Sequence, residues 1–323
     1  MNKVYITHAT KTYLQVAHNL AKSIREFSEL PIVIYCVDTE IKDTYIFQSI
    51  KDVFVEVLNL GIQEPENYNV NEFGNIYVDR KNLRTYDVLS AKINAIKHAL
   101  DSGWEEVCYL DSDCLATPLV DEIFDWSDNL DDYPLATTGI HEYMIVFENE
   151  KSMGNPYTDS GFDVKLCLEW PLMNLMCIKP DERGIYKTTN VILSNQNCRK
   201  FINTWLDLCK LLPNITDLNR IAPFHEETVF NALTWRKKSS SLPLCYVNIS
   251  HGLDTVKDFY TTSEDLGNLR HYDENDYRTQ FYKIPNDKRD TKVLHGEKGT
   301  AESDKIVSYL KKLEENGYFK HQQ

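Results

Sequence analysis

Asp111 and Asp113 stand one residue apart where a short apolar run, residues 107–110, comes to an end. Within an extended segment side chains alternate faces with period two, so the two carboxylates would point the same way. Like charges held that close repel and require a cation between or beside them. Hard oxygen ligands suit Mg²⁺ or Mn²⁺, and Mg²⁺ takes only one or two protein carboxylates, completing its shell with water and phosphate oxygens. The chemistry on offer is a divalent metal that grips a diphosphate. The plainer alternative is a pair of aspartates that caps a turn.

The elements that must position this pair read as an α/β chain. Residues 107–110 fit a buried parallel strand whose carboxyl end opens into a crevice, the place where open α/β sheets bind ligands. Residues 4–7 read as a first strand. Residues 12–28 form a helix, with Leu14, Ala17, Leu20, Ala21, Ile24 and Phe27 at helical spacing. After Pro31, residues 32–37 form a second strand that ends at Asp38, and such a βαβ unit predicts parallel strands with a right-handed crossover. A short helix over 39–51, a strand over 53–58 and a long polar loop over 61–82 follow. Tyr86, Leu89, Ile93, Ile96 and Leu100 then mark a helix that delivers the chain into the 107–110 strand.

Beyond the motif, residues 120–186 are broken up by glycine and proline. A buried strand over 188–193 leads into a helix through Phe201, Ile202, Trp205, Leu208 and Leu212, and another helix opens at residues 224–231. A last strand covers 244–249, residues 252–290 wrap over the surface, and 302–316 close the chain as an amphipathic helix.

Further candidates surround the carboxylates. The turn Thr7-His8-Ala9-Thr10-Lys11-Thr12-Tyr13 lies at a strand's carboxyl end and a helix N-terminus, where backbone N–H groups favour anions and a tyrosine offers a stacking face. Tyr13 is equally well read as the first turn of the amphipathic helix. Arg84 and Lys92 would bring a cation to a diphosphate, although a lysine on a helix is also an ordinary solvated residue.

The 323 residues carry a net charge of −14, which argues against general nucleic-acid binding. Eight cysteines without a Cys-x-x-Cys pair suggest buried thiols rather than disulfides or a zinc site. No run of 18 apolar residues is present, and a cytoplasmic enzyme without a transmembrane segment is expected.

Tyr109-Leu110-Asp111-Ser112-Asp113 resembles the DxD signature of GT-A fold glycosyltransferases, in particular the retaining enzymes of the glycogenin and lipopolysaccharide galactosyltransferase family. The resemblance implies one GT-A domain over 1–323, a Rossmann-like α/β fold with a mixed, mostly parallel central sheet flanked by helices. Residues 1–118 would form the nucleotide-binding half, 119–250 the acceptor-side half and 251–323 a C-terminal wrap carrying a second motif. It implies Mn²⁺ or Mg²⁺ held by Asp111, Asp113 and His295, with Ser112, Gly296, Lys298 and a basic residue such as Arg84 or Lys92 at the diphosphate. Thr7, His8, Ala9, Thr10 and Asp38 would surround the nucleoside, with Tyr13 stacked on the base.

Asn190, Glu226 and Glu227 fall at the family's sugar-side positions. The chain departs from the pattern in three ways. Val191 replaces a glycine after Asn190, Glu226 and Glu227 stand for the first Asp and the Gln of an Asp-Gln-Asp run, and His295, Gly296 and Lys298 are spaced more tightly than His-x-x-Gly-x-x-Lys. First-turn glutamates also complement a helix dipole.

The implied activity is transfer of a sugar from a nucleotide-diphosphate sugar, a UDP-sugar being the expected donor, to a hydroxyl of a glycan, lipid-linked or protein acceptor. Retention of configuration fits the family. An inverting enzyme would instead need Glu226 or Glu227 as base. A sugar nucleotidyltransferase would carry a Gly-rich loop after the first strand, which is absent, and a catalytically weak GT-A-like binding protein is the remaining alternative.

Overall fold

A computed structural model describes residues 2–61, 83–138, 187–211, 225–237, 242, 246–248, 252–261, 288–296 and 301–319. The central sheet contains β1 (Lys3–Thr10), β2 (Ile32–Val37), β3 (Val53–Leu58), β4 (Glu106–Leu110), β6 (Leu135–Thr138) and β7 (Lys187–Asn195). Their spatial order is β3-β2-β1-β4-β7-β6. The first four are mutually parallel, whereas β7 runs against β4 and β6 against β7. The mixed, mostly parallel α/β sheet expected from the sequence is therefore present.

The strand sequences follow from their places in the sheet. All six residues of β2 are buried, as an unbroken Val/Ile-type run demands when helices cover both faces. At the edge, β3 alternates partly buried and exposed residues. The helix α1 (Leu14–Phe27) buries Leu14, Ala17, Leu20, Ala21 and Ile24, the stripe its spacing predicts. Helix α2 (Leu83–Asp101) buries Ala91, Ile93, Ala95, Ile96, Ala99 and Leu100. Helices α3 (Arg199–Leu211) and α4 (His225–Lys237) pack on each other through the edge-on rings of Phe201, Trp205 and Phe230.

From β1 the chain moves outward through β2 to β3, then returns to place β4 on the other side of β1. The carboxyl ends of β1 and β4 thus flank a topological switch point, where crossover connections diverge and leave a crevice. The start of the antiparallel β7 lies at the same edge, since Leu110 pairs with Val191.

A second sheet joins β5 (Cys114–Ala116), β8 (Tyr246–Asn248) and β9 (Val293–His295) in the order β5-β9-β8. Over it a separate apolar cluster forms from Leu115, Leu119, Leu294, Val256, Tyr260, Ile306, Leu310 and Phe319. Its helices are α5 (Leu253–Thr261) and α6 (Ser303–Glu315), and α6 is tied to α1 by Lys22–Asp304 and Lys311–Glu26 pairs. The short helix expected over 39–51 is a 3₁₀ segment, Ile41–Ser49. One local expectation needs correction: the stretch read as surface wrap contains α5, whose Val256 and Tyr260 are buried.

Candidate metal centre

The aspartate pair is held in a turn, not in the extended segment that the spacing suggested. Cys114 N donates to Asp111 O at 3.0 Å, closing the turn between β4 and β5, and Asp111 N donates to Asn190 O at 2.8 Å. A turn brings the two side chains to one side by reversing the chain rather than by the strand's alternation. Strand β9 then supplies a third group. Cys114 pairs with His295, and Gly296, at φ 154, donates its N–H to Asp113 O at 3.2 Å.

Ligand atoms of Asp111, Asp113 and His295 all lie within 4.8 Å of one another. His295 Nε2 is 3.2 Å from Asp113 Oδ1. Two carboxylates and an imidazole, partly buried at a crevice, form a donor set that fits Mn²⁺ or Mg²⁺, Mn²⁺ tolerating the nitrogen ligand better. Among the described residues this is the one cluster of three or more such groups. Burial alone would raise the Asp113 carboxyl, but His295 outweighs it and holds the group below its usual range. Burial likewise pulls His295 down while Asp113 raises it, with a net upward shift.

Beneath Asp111 lies a buried ionic layer. Asp111 Oδ1 accepts from the Tyr109 hydroxyl at 2.6 Å, and Lys92 Nζ lies 3.2 Å from the same oxygen. Lys92 is 3% exposed and also reaches Glu226 Oε1 at 3.4 Å and Thr189 Oγ1 at 3.2 Å. The lysine expected beside a diphosphate therefore sits below Asp111 and neutralises that carboxylate from inside. Burial works against its charge, but Asp111, Glu226 and Glu227 together raise its pKa.

Glu226 and Glu227 are buried at the start of α4. Glu227 Oε2 accepts from Thr189 N at 2.8 Å, and Trp205 Nε1 donates to Glu226 O at 2.6 Å. Burial pushes the Glu226 carboxyl up to about 7, Lys92 opposing the shift and Glu227 adding to it. Asn231 stitches α4 to β7, accepting from Lys187 N at 2.7 Å and donating to Lys187 O at 2.8 Å.

The remaining candidates spread along the crevice. Thr7 and Ala9 are buried, and Thr7 Oγ1 has no hydrogen-bond partner among the described residues. His8 Nδ1 is 2.8 Å from the Tyr109 hydroxyl, Thr10 Oγ1 is 3.2 Å from Thr12 Oγ1, and Tyr13 is 44% exposed. Asp38, at φ 46, accepts through Oδ1 from Leu60 N and Gly61 N, so that oxygen ties the end of β2 to the chain after β3. Asn190 is 6% exposed with an Nδ2 that lacks a partner among the described residues, while its carbonyl accepts from Asp111 N. Ser112 lies within the turn. Arg84 falls on α2 with its side chain outside the described residues, and Lys298 lies outside them altogether.

Two participants lie outside the candidates named from the sequence, Tyr109 of the motif and Thr189 of the 188–193 strand. The signal for Tyr109 is a hydroxyl-bearing residue near the end of the strand that runs into Asp111.

No protein-family model matches the chain, and no curated protein matches it. Solved structures do share its fold. A galactosyltransferase LgtC complexed with donor and acceptor sugar analogues superimposes with a TM-score of 0.54 at 13% identity, covering 99% of this chain and 97% of its own. The bifunctional glycosyltransferase WbbM in its apo form gives a TM-score of 0.53 at 14% identity, with 95% of this chain matching 51% of that one. An active-site mutant of LgtC gives 0.51 at 14% identity, with 95% of each chain covered. At such identities the likeness establishes the fold, which is that of GT-A glycosyltransferases.

Proposed function

We propose that this chain is a metal-dependent glycosyltransferase that moves a sugar from a nucleotide-diphosphate sugar, a UDP-sugar in the first instance, to an acceptor hydroxyl. The observation that carries the reading is the meeting of Asp111, Asp113 and His295 at the switch point. It is supported by the fold shared with a galactosyltransferase that was crystallised with donor and acceptor analogues.

Asp111, Asp113 and His295 would hold Mn²⁺ or Mg²⁺. When bound, the metal would act as a Lewis acid that stabilises the negative charge developing on the departing diphosphate. Gly296 lets the backbone approach phosphate oxygens closely, having no Cβ. Lys298, and Arg84 from α2, are the cations assigned to the same oxygens. Thr7, His8, Ala9, Thr10 and Asp38 border the nucleoside site, and Tyr13 offers its exposed ring to the base. Asn190, whose backbone carbonyl accepts from Asp111 N, carries a buried Nδ2 donor suited to a sugar hydroxyl whose binding would satisfy it. Glu226 and Glu227, engaged with Lys92 and Thr189, form the floor beneath the sugar.

We assign retention, in which the leaving phosphate accepts the acceptor's proton and no separate general base is required. The acceptor is a glycan, a lipid-linked sugar or a protein. No described helix is long and apolar enough to cross a membrane, and we place the reaction in the cytoplasm. The test is incubation with a panel of nucleotide sugars and Mn²⁺. Turnover of one donor that is lost in Asp113→Ala supports the reading, and turnover that survives the substitution or ignores metal removal refutes it. NMR of the product's anomeric proton decides stereochemistry, a β-linked product from an α-linked donor ruling out retention.

A further inference from the structure

We propose that His8 is a positioning residue of the metal centre, acting on Asp111 through the Tyr109 hydroxyl. The inference rests on the reading of Asp111, Asp113 and His295 as metal ligands. It gives His8 a second role beside its place at the border of the nucleoside site.

Proton counting fixes the direction of the relay. Tyr109 has one hydroxyl hydrogen, and its oxygen lies 2.6 Å from Asp111 Oδ1 and 2.8 Å from His8 Nδ1. An ionised carboxylate only accepts, so the phenol must give its hydrogen to Asp111. His8 Nδ1 must then carry a hydrogen and donate it to the phenol oxygen. The neutral ring is thereby held as the Nδ1–H tautomer. Donation into the phenol oxygen polarises the hydroxyl and strengthens its bond to the carboxylate.

The sheet builds this alignment. Ile6 of β1 pairs with Tyr109 of β4, and His8, two residues beyond Ile6, shares the face on which the Tyr109 side chain lies. The two rings stack with centroids 5.9 Å apart and planes 22° apart, so the tyrosine has little freedom to swing. Lys92 Nζ sits 5.6 Å from the Tyr109 ring centroid and bonds the same Asp111 oxygen. With Oδ1 bonded by both phenol and lysine, the carboxylate has one orientation, and Oδ2 is the oxygen presented to a metal. Partners that orient a ligand commonly change metal affinity by about 10–100-fold when removed.

The test measures Mn²⁺ affinity of the whole chain without nucleotide, by electron paramagnetic resonance of free Mn²⁺. His8→Leu is expected to weaken binding about tenfold. His8→Asn, whose amide nitrogen stands near the place of Nδ1, should retain affinity within about threefold, because it keeps the donor. Tyr109→Phe should match His8→Leu, and the double variant should lose no more than either alone, since both substitutions break one relay. Metal-free thermal melts identify any variant that fails to fold, and Tyr109→Phe with His8→Asn then carries the comparison. Wild-type affinity in His8→Leu, equal losses in His8→Leu and His8→Asn, or losses that multiply in the double variant would each overturn the proposal. A wild-type protein that binds no Mn²⁺ overturns it together with the glycosyltransferase reading. Binding that is normal in His8→Leu and lost in Asp113→Ala overturns the relay alone.

Discussion

Replacing Lys92 with methionine is the sharpest probe of the ionic layer beneath Asp111. The side chain keeps similar volume but loses an ammonium that lies 3.2 Å from Asp111 Oδ1, 3.2 Å from Thr189 Oγ1 and 3.4 Å from Glu226 Oε1. Removing one partner from a buried ion pair usually costs about 3–5 kcal/mol, because the other charge stays desolvated. Here Glu226 can escape part of that cost. Its carboxyl already sits at about 7, and without the lysine it rises further and takes up a proton at neutral pH. The loss should therefore fall near the lower bound, about 3 kcal/mol at pH 7, or roughly 4 °C in Tm for a chain of this length.

The loss should grow at pH 8, where holding Glu226 neutral costs more, and shrink at pH 5, where the wild-type Glu226 is already protonated. Adding Glu226→Gln to Lys92→Met should recover about 1 kcal/mol or more at pH 8, since it removes the stranded charge. Urea unfolding followed by circular dichroism in EDTA measures all of these. A Lys92→Met protein within about 0.5 kcal/mol of wild type at pH 8 would refute the reasoning, because a solvated lysine behaves in that way.

Wild-type stability should fall as pH rises from about 4.5 through about 7. The folded Glu226 retains a proton there that the unfolded chain has released, and the span corresponds to about 3 kcal/mol. Lys92, Glu227, Asp111 and Cys209 face this carboxyl and modulate the slope. Urea midpoints of Glu226→Gln between pH 5 and 8 should be flatter by that amount. Ser23→Ala should destabilise by about 1–3 kcal/mol in the same assay. The buried Ser23 hydroxyl donates to Leu20 O at 2.7 Å and accepts from Ala116 N at 2.9 Å, and its loss strands a strand N–H. Gly252→Ala should cost about 1–2 kcal/mol, visible as faster amide exchange in α5. The glycine sits at φ +84, and its added Cβ would meet Glu302 Oε2 at 2.6 Å, displacing the carboxylate that accepts from Leu253 N.

Unbroken apolar runs were the most legible part of the sequence. β2 and β3 begin and end at the residues their hydrophobic stretches predict, because both run between clear turn signals. Helix α1 was equally plain from its stripe. By contrast, β5 and β9 are three residues each, too short to show a period, and they exist because they pair with each other. Helix α5 was lost in a polar stretch in which Val256 and Tyr260 are its buried side chains. Asp111, Asp113 and His295 follow from the motif and the resemblance, but a turn, not the alternation of a strand, holds the two aspartates. The burial of Lys92 and the Tyr109–His8 contact depend on packing between α2, β1, β4 and β7, and no local pattern encodes such meetings. Cys36, Cys108, Cys114, Cys198 and Cys209 are buried thiols, as the absence of paired spacing implied.

His295 reaches the aspartates because the short strand that carries it bonds to partners on both sides, β5 from early in the sequence and β8 from late. During synthesis, the paired carboxylates leave the ribosome long before the imidazole does. A nascent chain thus displays the two carboxylates without the imidazole, and a polypeptide clipped upstream of Val293 never gains it. Assembly of the three groups is therefore coupled to docking of β9 between β5 and β8.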